Sequence, residues 1–436
     1  MQLISTLSRS RLTGLWRNQD FLKLWAGQTV SVFGSLITGF ALPLVAILTL
    51  NATPFQVALL GAAELAPGML VGLFAGAWVD RLRRRPLLIG ADLGRALLLG
   101  SVPLAAVLGT LTIGHLYVVA LLVSVLTVLF DVAYVSYLPS LVRREQLVEG
   151  NSKLEASNSV AEVAGFGIAG VLVQALTAPI AILVDALTFL VSALFVGLIR
   201  APEQAPKREA SPSEAPANVL REIAQGLRLV WSDRVLRGIA GANTTREFFA
   251  HVFVAVLILF LVETLGLEPA VFGFVFALGG ISAFVGALYV ERATRRWGVG
   301  PLMLGSFAIS AGSALFMPLA FGPAPVIIGI LAATQVFDAT GMAYEVNKVT
   351  LTQGLTPPRL LGRVNASMRV LEQCATLIGL LVGGVLGQTI GLRPTVFVGV
   401  LGMLLGLPWL YFSPIRGMRE HPPLPVETTI LTSPGA

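Results

Sequence analysis

Acidic side chains inside apolar stretches are the residues most able to do chemistry in this chain. Glu64 is the only charged residue between Leu24 and Val79, and Glu162 and Glu247 also lie within long apolar runs. An ionisable group at mid-membrane costs at least about 2.5–3.5 kcal/mol and therefore suggests a function. A carboxyl group in such a place can bind and release a proton. We predict that these three glutamates are the candidate proton carriers, with Glu64 as the first choice because it has no partner within one helical turn.

Two other acids in apolar runs have a basic residue one turn away. Asp92 precedes Arg95 and Arg369 precedes Glu372, in both cases with i, i+3 spacing. Residues three apart are neighbours on a helix surface. We interpret both as structural ion pairs within one helix.

Polar residues also recur at helical spacing in four of the apolar runs. They either line a cavity or form hydrogen bonds between helices. If they line a cavity, they are candidates for contact with the substrate: Gln28, Ser31, Ser35, Thr38, Tyr134, Asn243, Glu247, His251 and Thr334.

A cluster of charged residues interrupts the apolar pattern in "GAWVDRLRRRP", which runs from Gly76 to Pro86. One aspartate and four arginines occur within six positions. The sequence "ERATRR" at 291–296 repeats the pattern of an acid, an arginine, two residues and a pair of arginines. A positively charged turn would fix the membrane topology, but topology alone requires neither the acid nor the second copy.

The elements that position these residues must be membrane-spanning helices. Only 12% of the 436 residues are charged and 55% are hydrophobic, whereas soluble domains carry about 25% charged residues. A bilayer core of about 30 Å needs about 20 apolar residues in a helix. The chain contains twelve such runs, so we predict an all-α membrane protein with 12 transmembrane helices.

Basic residues define the orientation. With twelve spans, both termini and the loops after every second span lie on one side of the membrane. All 30 Lys and Arg residues except Arg95, Arg246 and Arg393 lie on that side or at the adjoining span ends. The positive-inside rule therefore predicts a multi-pass protein of the plasma (inner) membrane with both termini in the cytoplasm.

The chain is also an internal repeat of two halves. Matching residues lie 207 to 214 positions apart in the same order, for example Phe130-Asp131 with Phe337-Asp338 and Gln174 with Gln388. Such parallel repeats are typical of secondary transporters. We predict two pseudo-symmetric six-helix bundles at 1–200 and 238–436, joined by a cytoplasmic linker at 201–237 that includes an amphipathic helix on the membrane surface.

Several function classes have no support in the sequence. Three distant histidines and one cysteine give no metal-ligand spacing, and no Gly-x-x-x-x-Gly-Lys loop is present to hold a nucleoside triphosphate. We therefore expect no enzyme activity, no cofactor and no metal. The basic residues belong to membrane-side loops, so we expect no nucleic-acid partner either.

The turn at Gly76–Pro86 resembles the cytoplasmic signature of the major facilitator superfamily between its helices 2 and 3. The segments "LPSLVRREQLVEGN" and "DALTFLVSALFV" look more narrowly like its drug-efflux branch, which contains macrolide and siderophore exporters. The span 5 signature of antiporters in that family is altered here, because Gly165-Phe166-Gly167-Ile168-Ala169-Gly170 lacks its proline.

The resemblance implies roles for the charged turn and for the polar stripes. In similar proteins, the signature residues latch the two halves shut on the cytoplasmic side, and spans 1, 4, 7 and 10 line the cavity. The gating residues implied here are Gly76, Asp80, Arg81, Arg84, Arg85 and Asp131, with a second set at Glu291, Arg295 and Asp338.

The expected function is proton-coupled efflux of lipophilic or amphipathic small molecules by alternating access, of the multidrug or macrolide type. Expected partners are the lipid bilayer, a small amphipathic substrate and protons, with the chain acting as a monomer. Two alternatives remain open. One is a dedicated exporter of a single metabolite such as a siderophore or a lipid. The other is a membrane receptor or assembly protein that uses the fold without transport.

Overall fold

The computed structural model describes residues 14–79, 82–201 and 216–421, and this part of the chain is helical without β-strands. Twelve helices in it are long and apolar enough to cross a membrane. The predicted all-α class and the number of spans are thus confirmed. Local signals set the helix starts. Asn18, for example, accepts hydrogen bonds from the backbone N–H groups of Asp20 and Phe21, both at 3.1 Å, and caps the first span.

The α-helices of the first half and of the linker are α1 Gln19–Leu44, α2 Pro54–Val79, α3 Arg84–Val107, α4 Ile113–Leu141, α5 Leu147–Leu176, α6 Ala178–Gly197 and α7 Pro216–Ser232. Those of the second half are α8 Arg234–Leu259, α9 Pro269–Trp297, α10 Val299–Ser313, α11 Ala324–Asp338, α12 Gly341–Leu355, α13 Pro358–Thr389, α14 Leu392–Leu404 and α15 Leu407–Tyr411.

The chain divides into two compact units. Unit 1 comprises Met1–Ala210, Ala255–Gly280 and Gly384–Leu392, and unit 2 comprises Ser211–Val254, Ile281–Gly383 and Arg393–Ala436. These units group segments by packing and do not follow the repeat boundaries. The predicted bundles at 1–200 and 238–436 therefore stay a prediction from the sequence repeat.

In unit 1, α6 packs against both α1 and α3, while α4 packs against α2 and α3. A cluster of fully buried side chains that includes Phe21, Phe130 and Tyr137 forms its core. Small residues permit the close approach of α1 to α6. A Cβ atom added at Gly34 would lie 2.1 Å from Thr188 Oγ1 and 2.2 Å from Asp185 Oδ1. Such contacts through small residues replace the hydrophobic effect as the packing force between helices in lipid.

A second close contact in unit 1 joins α5 to α9. A Cβ atom at Gly170 would lie 2.6 Å from the carbonyl oxygen of Pro269, and one at Gly273 would lie 2.7 Å from that of Phe166. Gln174 extends the contact, because its side chain donates to Glu268 at 2.5 Å and accepts from the backbone N–H of Ala270 at 3.1 Å. Gly170 of the altered antiporter signature thus allows the backbones of α5 and α9 to approach closely.

The first helix of each half ends in the same irregular way. α1 continues into a π-helical turn at Val45–Thr49, and α8 continues into one at Phe260–Thr264. A residue with positive φ follows each turn, Asn51 at 50° and Gly266 at 63°. The separations between the halves are the same for both features, since 260 − 45 and 266 − 51 both give 215.

Unit 2 has its own close packing, with α10 in contact with α11 and α12. A Cβ atom at Gly379 would clash with the backbone carbonyl of Phe248, so α13 touches the backbone of α8. The ring of Phe249 fills the space beside Gly402 of α14. Phe248 and Phe249 therefore lie where α8 packs against α13 and α14.

The linker helix α7 is amphipathic, with Val230 buried and Arg221, Glu222 and Arg228 exposed. It lies against the start of α13. Ser367 Oγ donates to the carbonyl of Ile223 at 2.8 Å, and Arg363 contacts Gln225 at 2.8 Å. One face of α7 thus contacts α13 in unit 2, and its predicted position on the membrane surface stays a prediction.

Candidate functional site

A cavity of about 220 Å³ lies inside unit 1, between α1, α2, α3, α4 and α6. Most of its wall is hydrocarbon, and two acidic residues, Glu64 and Asp185, are among the residues that line it. Its lining residues are Ser35, Thr38, Gly39, Leu42, Glu64, Leu99, Ala120, Val123, Ser124, Thr127, Asp185 and Phe189.

Glu64 is held in place by its backbone. The hydroxyl group of Ser124 on α4 donates a 2.5 Å hydrogen bond to the Glu64 carbonyl oxygen. Glu64 is among the residues that line the cavity. Within the described part of the chain, no hydrogen bond or ion pair reaches its carboxyl group. Glu64 therefore lacks a charged partner among the described residues in the structure, as the sequence predicted for its own helix.

Asp185 is the residue that sequence reasoning missed. It lies on α6, is only 1% exposed, and accepts hydrogen bonds from Thr38 at 2.5 Å and from Thr188 at 2.9 Å. The sequence showed only an acid in an apolar run with Thr188 one turn later. The contact with Thr38 arises from the close packing of α1 on α6, for which sequence offers no direct signal.

The Arg95 cluster, formed by Asp92, Arg95, Thr127, Phe130 and Phe189, lies beside the cavity. Arg95 donates to Asp92 at 2.5 Å, and both side chains are buried. The guanidinium group lies between two aromatic rings, 4.3 Å from the Phe130 centroid and 4.1 Å from the Phe189 centroid. Thr127 lies 3.4 Å from it. The predicted Asp92–Arg95 ion pair is present and joins α3 to α4 and α6.

The polar stripe of α1 divides between two environments. Ser31 and Thr38 are buried, and Thr38 contacts Asp185, whereas Ser35 is exposed and lines the cavity. Gln28 is half-buried, and its Oε1 atom has no hydrogen-bond partner among the described residues. Thr38 of this stripe therefore forms a hydrogen bond to another helix, whereas Ser35 only lines the cavity.

On α4, Tyr134 stacks on Phe130 with a centroid distance of 5.9 Å. Its hydroxyl group has no hydrogen-bond partner among the described residues. Asp131 is exposed and lies within electrostatic reach of Arg95. These two predicted residues therefore lie near the Arg95 cluster and outside the lining of the cavity.

A second polar group, the Arg246 cluster, lies in unit 2 and consists of Asn243, Arg246, Glu247, Glu345, Lys348 and Glu372. Arg246 pairs with Glu345 at 3.0 Å and with Glu247 at 3.4 Å. Lys348 pairs with Glu345 at 2.6 Å. The predicted proton carrier Glu247 is therefore part of an ion-pair network, unlike Glu64.

Asn243 extends this cluster to α13. Its side-chain amide donates to Glu372, and its oxygen lies 3.4 Å from Lys348 Nζ. The expected pairing of Glu372 with Arg369 does not occur among the described ion pairs, and Arg369 is exposed. Helical spacing permitted the pair, but packing against α8 gave Glu372 a different partner.

The remaining cavity and proton candidates have varied surroundings. His251 Nδ1 lies 2.9 Å from the Glu247 carbonyl oxygen and 3.6 Å from its carboxyl group. Thr334 is buried and donates to Ile330 of its own helix at 3.0 Å. Glu162 is exposed on α5, apart from either cluster.

Of the predicted latch, Asp80 and Arg81 lie outside the described residues. Gly76 lies in α2 and Arg84 is the first residue of α3. Arg85 donates to the backbone carbonyls of Val196 at 3.3 Å and of Gly197 at 2.5 Å, which ties the turn to the end of α6. The latch stays a prediction.

Two of the three residues in the second predicted gating set form an ion pair. Arg295 pairs with Glu291 at 3.3 Å, and both side chains are largely exposed. Asp338 instead accepts a 2.5 Å hydrogen bond from Ser310. No group of three or more metal-ligating side chains occurs among the described residues.

Twelve apolar helices with a buried ion pair in unit 1 and a half-buried ionisable cluster in unit 2 are typical of a polytopic membrane protein of the secondary transporter class. Comparison with known protein families supports this class. The chain belongs to the Major Facilitator Superfamily, whose sequence model matches residues 24–373 and, in a second alignment, 247–433. It is a multi-pass membrane transporter and not an enzyme.

Two relatives illustrate the similarity in sequence. The multidrug efflux pump Tap of Mycolicibacterium fortuitum is 29% identical over 405 residues, which cover 90% of this chain and 95% of the relative. Macrolide efflux protein A of Streptococcus pyogenes is 25% identical over 231 residues, which cover 52% of this chain and 55% of the relative.

Solved structures share the fold at lower identity. A bacterial homologue of the iron transporter ferroportin, in an inward-facing state, has a TM-score of 0.68 at 18% identity and covers 90% of this chain and 98% of its own. A bacterial homologue of the human lysosomal transporter Spinster also has a TM-score of 0.68, at 13% identity, and covers 92% of this chain and 97% of its own.

Proposed function

We propose that this transporter is a proton-coupled exporter of lipophilic or amphipathic small molecules that works by alternating access. The observation that carries the proposal is that Glu64 lines a mostly apolar cavity and that its carboxyl group has no hydrogen-bond partner among the described residues. A carboxylate is far more costly in such surroundings than a protonated carboxyl group. Binding and release of a proton at Glu64 would therefore bias the conformational equilibrium.

The relatives support the direction and the substrate class. The two named above are an efflux pump for multiple drugs and an efflux protein for macrolides. The cavity wall here is largely hydrocarbon with a few hydroxyl groups, which suits an amphipathic solute better than a sugar. We further propose that both termini are cytoplasmic, that the bundles are residues 1–200 and 238–436, and that the chain works as a monomer.

The test is efflux driven by a pH gradient in proteoliposomes, with ethidium and a macrolide as substrates. Glu64→Gln mimics the protonated side chain, so we expect this variant to lose uphill efflux and to retain downhill exchange. Glu155→Gln is the matched control, because Glu155 is exposed on α5 and has no proposed role in transport. We expect it to behave as the wild type. Glu162→Gln and Glu247→Gln, measured in parallel, test the other two candidate carriers.

Uphill efflux at the wild-type rate by Glu64→Gln would end the assignment of the proton to Glu64. Transport of neither substrate, with no proton flux from the wild-type protein, would contradict the exporter proposal itself. Loss of coupling only in Glu247→Gln would move the proton to the Arg246 cluster.

A further inference from the structure

A basic pocket of about 470 Å³ lies in unit 2, beside the start of α8 and the end of α15. Two arginines line it, Arg234 and Arg237, together with Trp409, Phe412 and Ser413. The described residues that form its lining include no acid. The pocket is separate from the cavity in unit 1, and the proposed transport function does not use it.

The pocket forms where α8 and α15 approach closely at two glycines. A Cβ atom at Gly238 would lie 2.8 Å from Ser413 Oγ and 3.1 Å from the carbonyl oxygen of Trp409, and one at Gly241 would overlap the Trp409 ring. Ser413 Oγ also donates to the carbonyl oxygen of Arg234 at 3.3 Å. These contacts fix the backbone that carries the two arginines against the end of α15.

The charge of the two arginines is not balanced by an ion pair in the described part of the chain. Arg237 donates to the carbonyl oxygen of Trp231 at 3.3 Å, which is a neutral partner. The acid next to them in the sequence, Asp233, caps α8 and accepts from the backbone N–H groups of Val235 and Leu236, both at 2.8 Å. The pocket therefore presents two guanidinium groups to an anion from outside the chain.

Exposed aromatic side chains surround the pocket. Trp409 is 41% exposed and Phe412 is 83% exposed, and Trp231 and Tyr411 nearby in the sequence are also exposed. The guanidinium group of Arg416 lies 4.9 Å from the centroid of the Tyr411 ring. Tryptophan and tyrosine beside basic residues are typical of the level of the lipid headgroups. The neighbour that these side chains favour is therefore a lipid.

We propose that this pocket binds the phosphate group of an anionic phospholipid. Arg234 and Arg237 hold the phosphate oxygens, and the rings of Trp409 and Phe412 contact the glycerol and the first carbons of the acyl chains. Guanidinium groups match the geometry of a phosphate through paired N–H donors. Basic pockets between transmembrane helices are suited to anionic headgroups. Binding needs neither a substrate nor a gradient, so it is independent of the proposed export function.

A lipid fits the pocket better than a free phosphate ion does. Pockets for organic ligands span about 300–1,000 Å³, and the volume here of about 470 Å³ lies within that range. A small anion would contact the arginines and leave the aromatic wall uncovered. A phospholipid also places hydrocarbon against Trp409 and Phe412, and burial of this apolar surface adds to the attraction of the charges.

The experiment measures quenching of tryptophan fluorescence by brominated lipids, with the full-length protein in phosphatidylcholine bilayers. Bromine atoms quench an indole ring that they contact. The chain has six tryptophans, and the difference between the wild type and Trp409→Phe isolates the signal of Trp409. At equal mole fractions, we expect brominated phosphatidylglycerol to quench Trp409 more strongly than brominated phosphatidylcholine does. Equal quenching by the two lipids would overturn the proposal.

Variants of the two arginines locate the phosphate. Arg234→Gln and Arg237→Gln should each lower the preference for phosphatidylglycerol about fivefold, because one basic residue near an anionic membrane surface contributes about that factor. Arg359→Gln is the matched control, since it removes an exposed arginine of α13 outside the pocket, and it should retain the preference. Full preference in both pocket variants, or an equal loss in the control, would contradict the proposal.

Inorganic phosphate distinguishes a lipid from a free anion as the occupant. We expect added phosphate to leave the quenching of Trp409 by brominated phosphatidylglycerol unchanged, relative to sodium chloride at the same ionic strength, which controls for screening. Loss of quenching in phosphate alone would show a site for free phosphate and contradict the lipid site.

Native mass spectrometry of the unmodified protein gives a measurement that does not depend on folded variants. From an equimolar mixture of the two lipids in detergent, we expect the protein to retain phosphatidylglycerol in preference to phosphatidylcholine. Equal retention of both lipids would overturn the proposal.

Discussion

The hydroxyl group of Thr38 on α1 donates a 2.5 Å hydrogen bond to the carboxyl group of Asp185 on α6, 147 residues further along the chain. Both side chains are buried. The bond connects the first and the last span of the first half and orients one wall of the cavity. It makes the geometry of the candidate site depend on the packing of these two helices.

Thr38→Val keeps the shape of the side chain and removes its hydroxyl group. Because the Asp185 carboxyl group would lose a buried donor, we expect the protein to lose about 1.5–3 kcal/mol of stability. Thermal unfolding of the purified protein in detergent measures this loss. Thr38→Ser retains the hydroxyl and should lose much less. Equal unfolding temperatures for Thr38→Val and the wild type would show that the bond is unimportant.

Arg95→Met should be the more severe change in the same unit. It leaves Asp92 as a buried carboxyl group without its partner, and breaking such a pair costs about 3–5 kcal/mol. Arg295→Gln is the control, since the ion pair of Arg295 with Glu291 is largely exposed and such pairs contribute about 0–1 kcal/mol. If both variants unfolded at the same temperature, the Arg95 cluster would have no structural role.

Gly34→Ala tests the close contact of α1 with α6. The new methyl group would overlap Thr188 and Asp185, and overpacking of this kind costs about 1–3 kcal/mol. Gly39→Ala lies on the same helix, where a Cβ atom meets nothing within 4 Å. Since alanine favours helix over glycine by about 0.5–1 kcal/mol, we expect Gly39→Ala to unfold at the wild-type temperature or above. The reverse order of the two variants would contradict the described packing.

The membrane orientation can be tested by labelling single cysteines in a variant that lacks Cys374. Cysteines that replace Ala52 and Pro323 should react with an impermeant maleimide in intact cells. Cysteines that replace Ser213 and Ala293 should react only after permeabilisation, because the positive-inside rule places these segments in the cytoplasm. Reaction at position 213 in intact cells would reverse the assignment.

The latch hypothesis has its own test in the charged turn. Asp80→Asn removes the anion of the signature while it keeps the size of the side chain, so we expect normal amounts of protein in the membrane and strongly reduced transport. Asp131→Asn should act in the same direction. Normal transport rates by both variants in proteoliposomes would show that these acids do not hold the cytoplasmic side closed.

Apolar run length was sufficient to predict the fold class and the twelve spans, because lipid permits few alternatives to the helix. The sequence also showed that Glu64 has no charged neighbour in α2, because it is the only charged residue between Leu24 and Val79. The partner of Glu372 could not be predicted in this way. Its i, i+3 neighbour Arg369 was visible in the sequence, but Asn243 lies 129 residues away and meets Glu372 only through the packing of α8 on α13.

Asp185 shows the same limit for the candidate site. An acid followed by a threonine one turn later is compatible with a local hydrogen bond, and the structure has that bond. Its role in the cavity depends on Thr38 and Gly34 of another helix. Tertiary packing therefore determines which acidic residues line the same cavity.

The π-helical turns that end α1 and α8 give the two halves a shared backbone feature. Each turn is followed by a positive-φ residue, with the same separation of 215 between the halves. A π-helical turn is rare, and the residues within the two turns differ, "VAILT" in one and "FLVET" in the other. The internal repeat is therefore visible in the backbone conformation even at positions where the side chains of the two halves do not match.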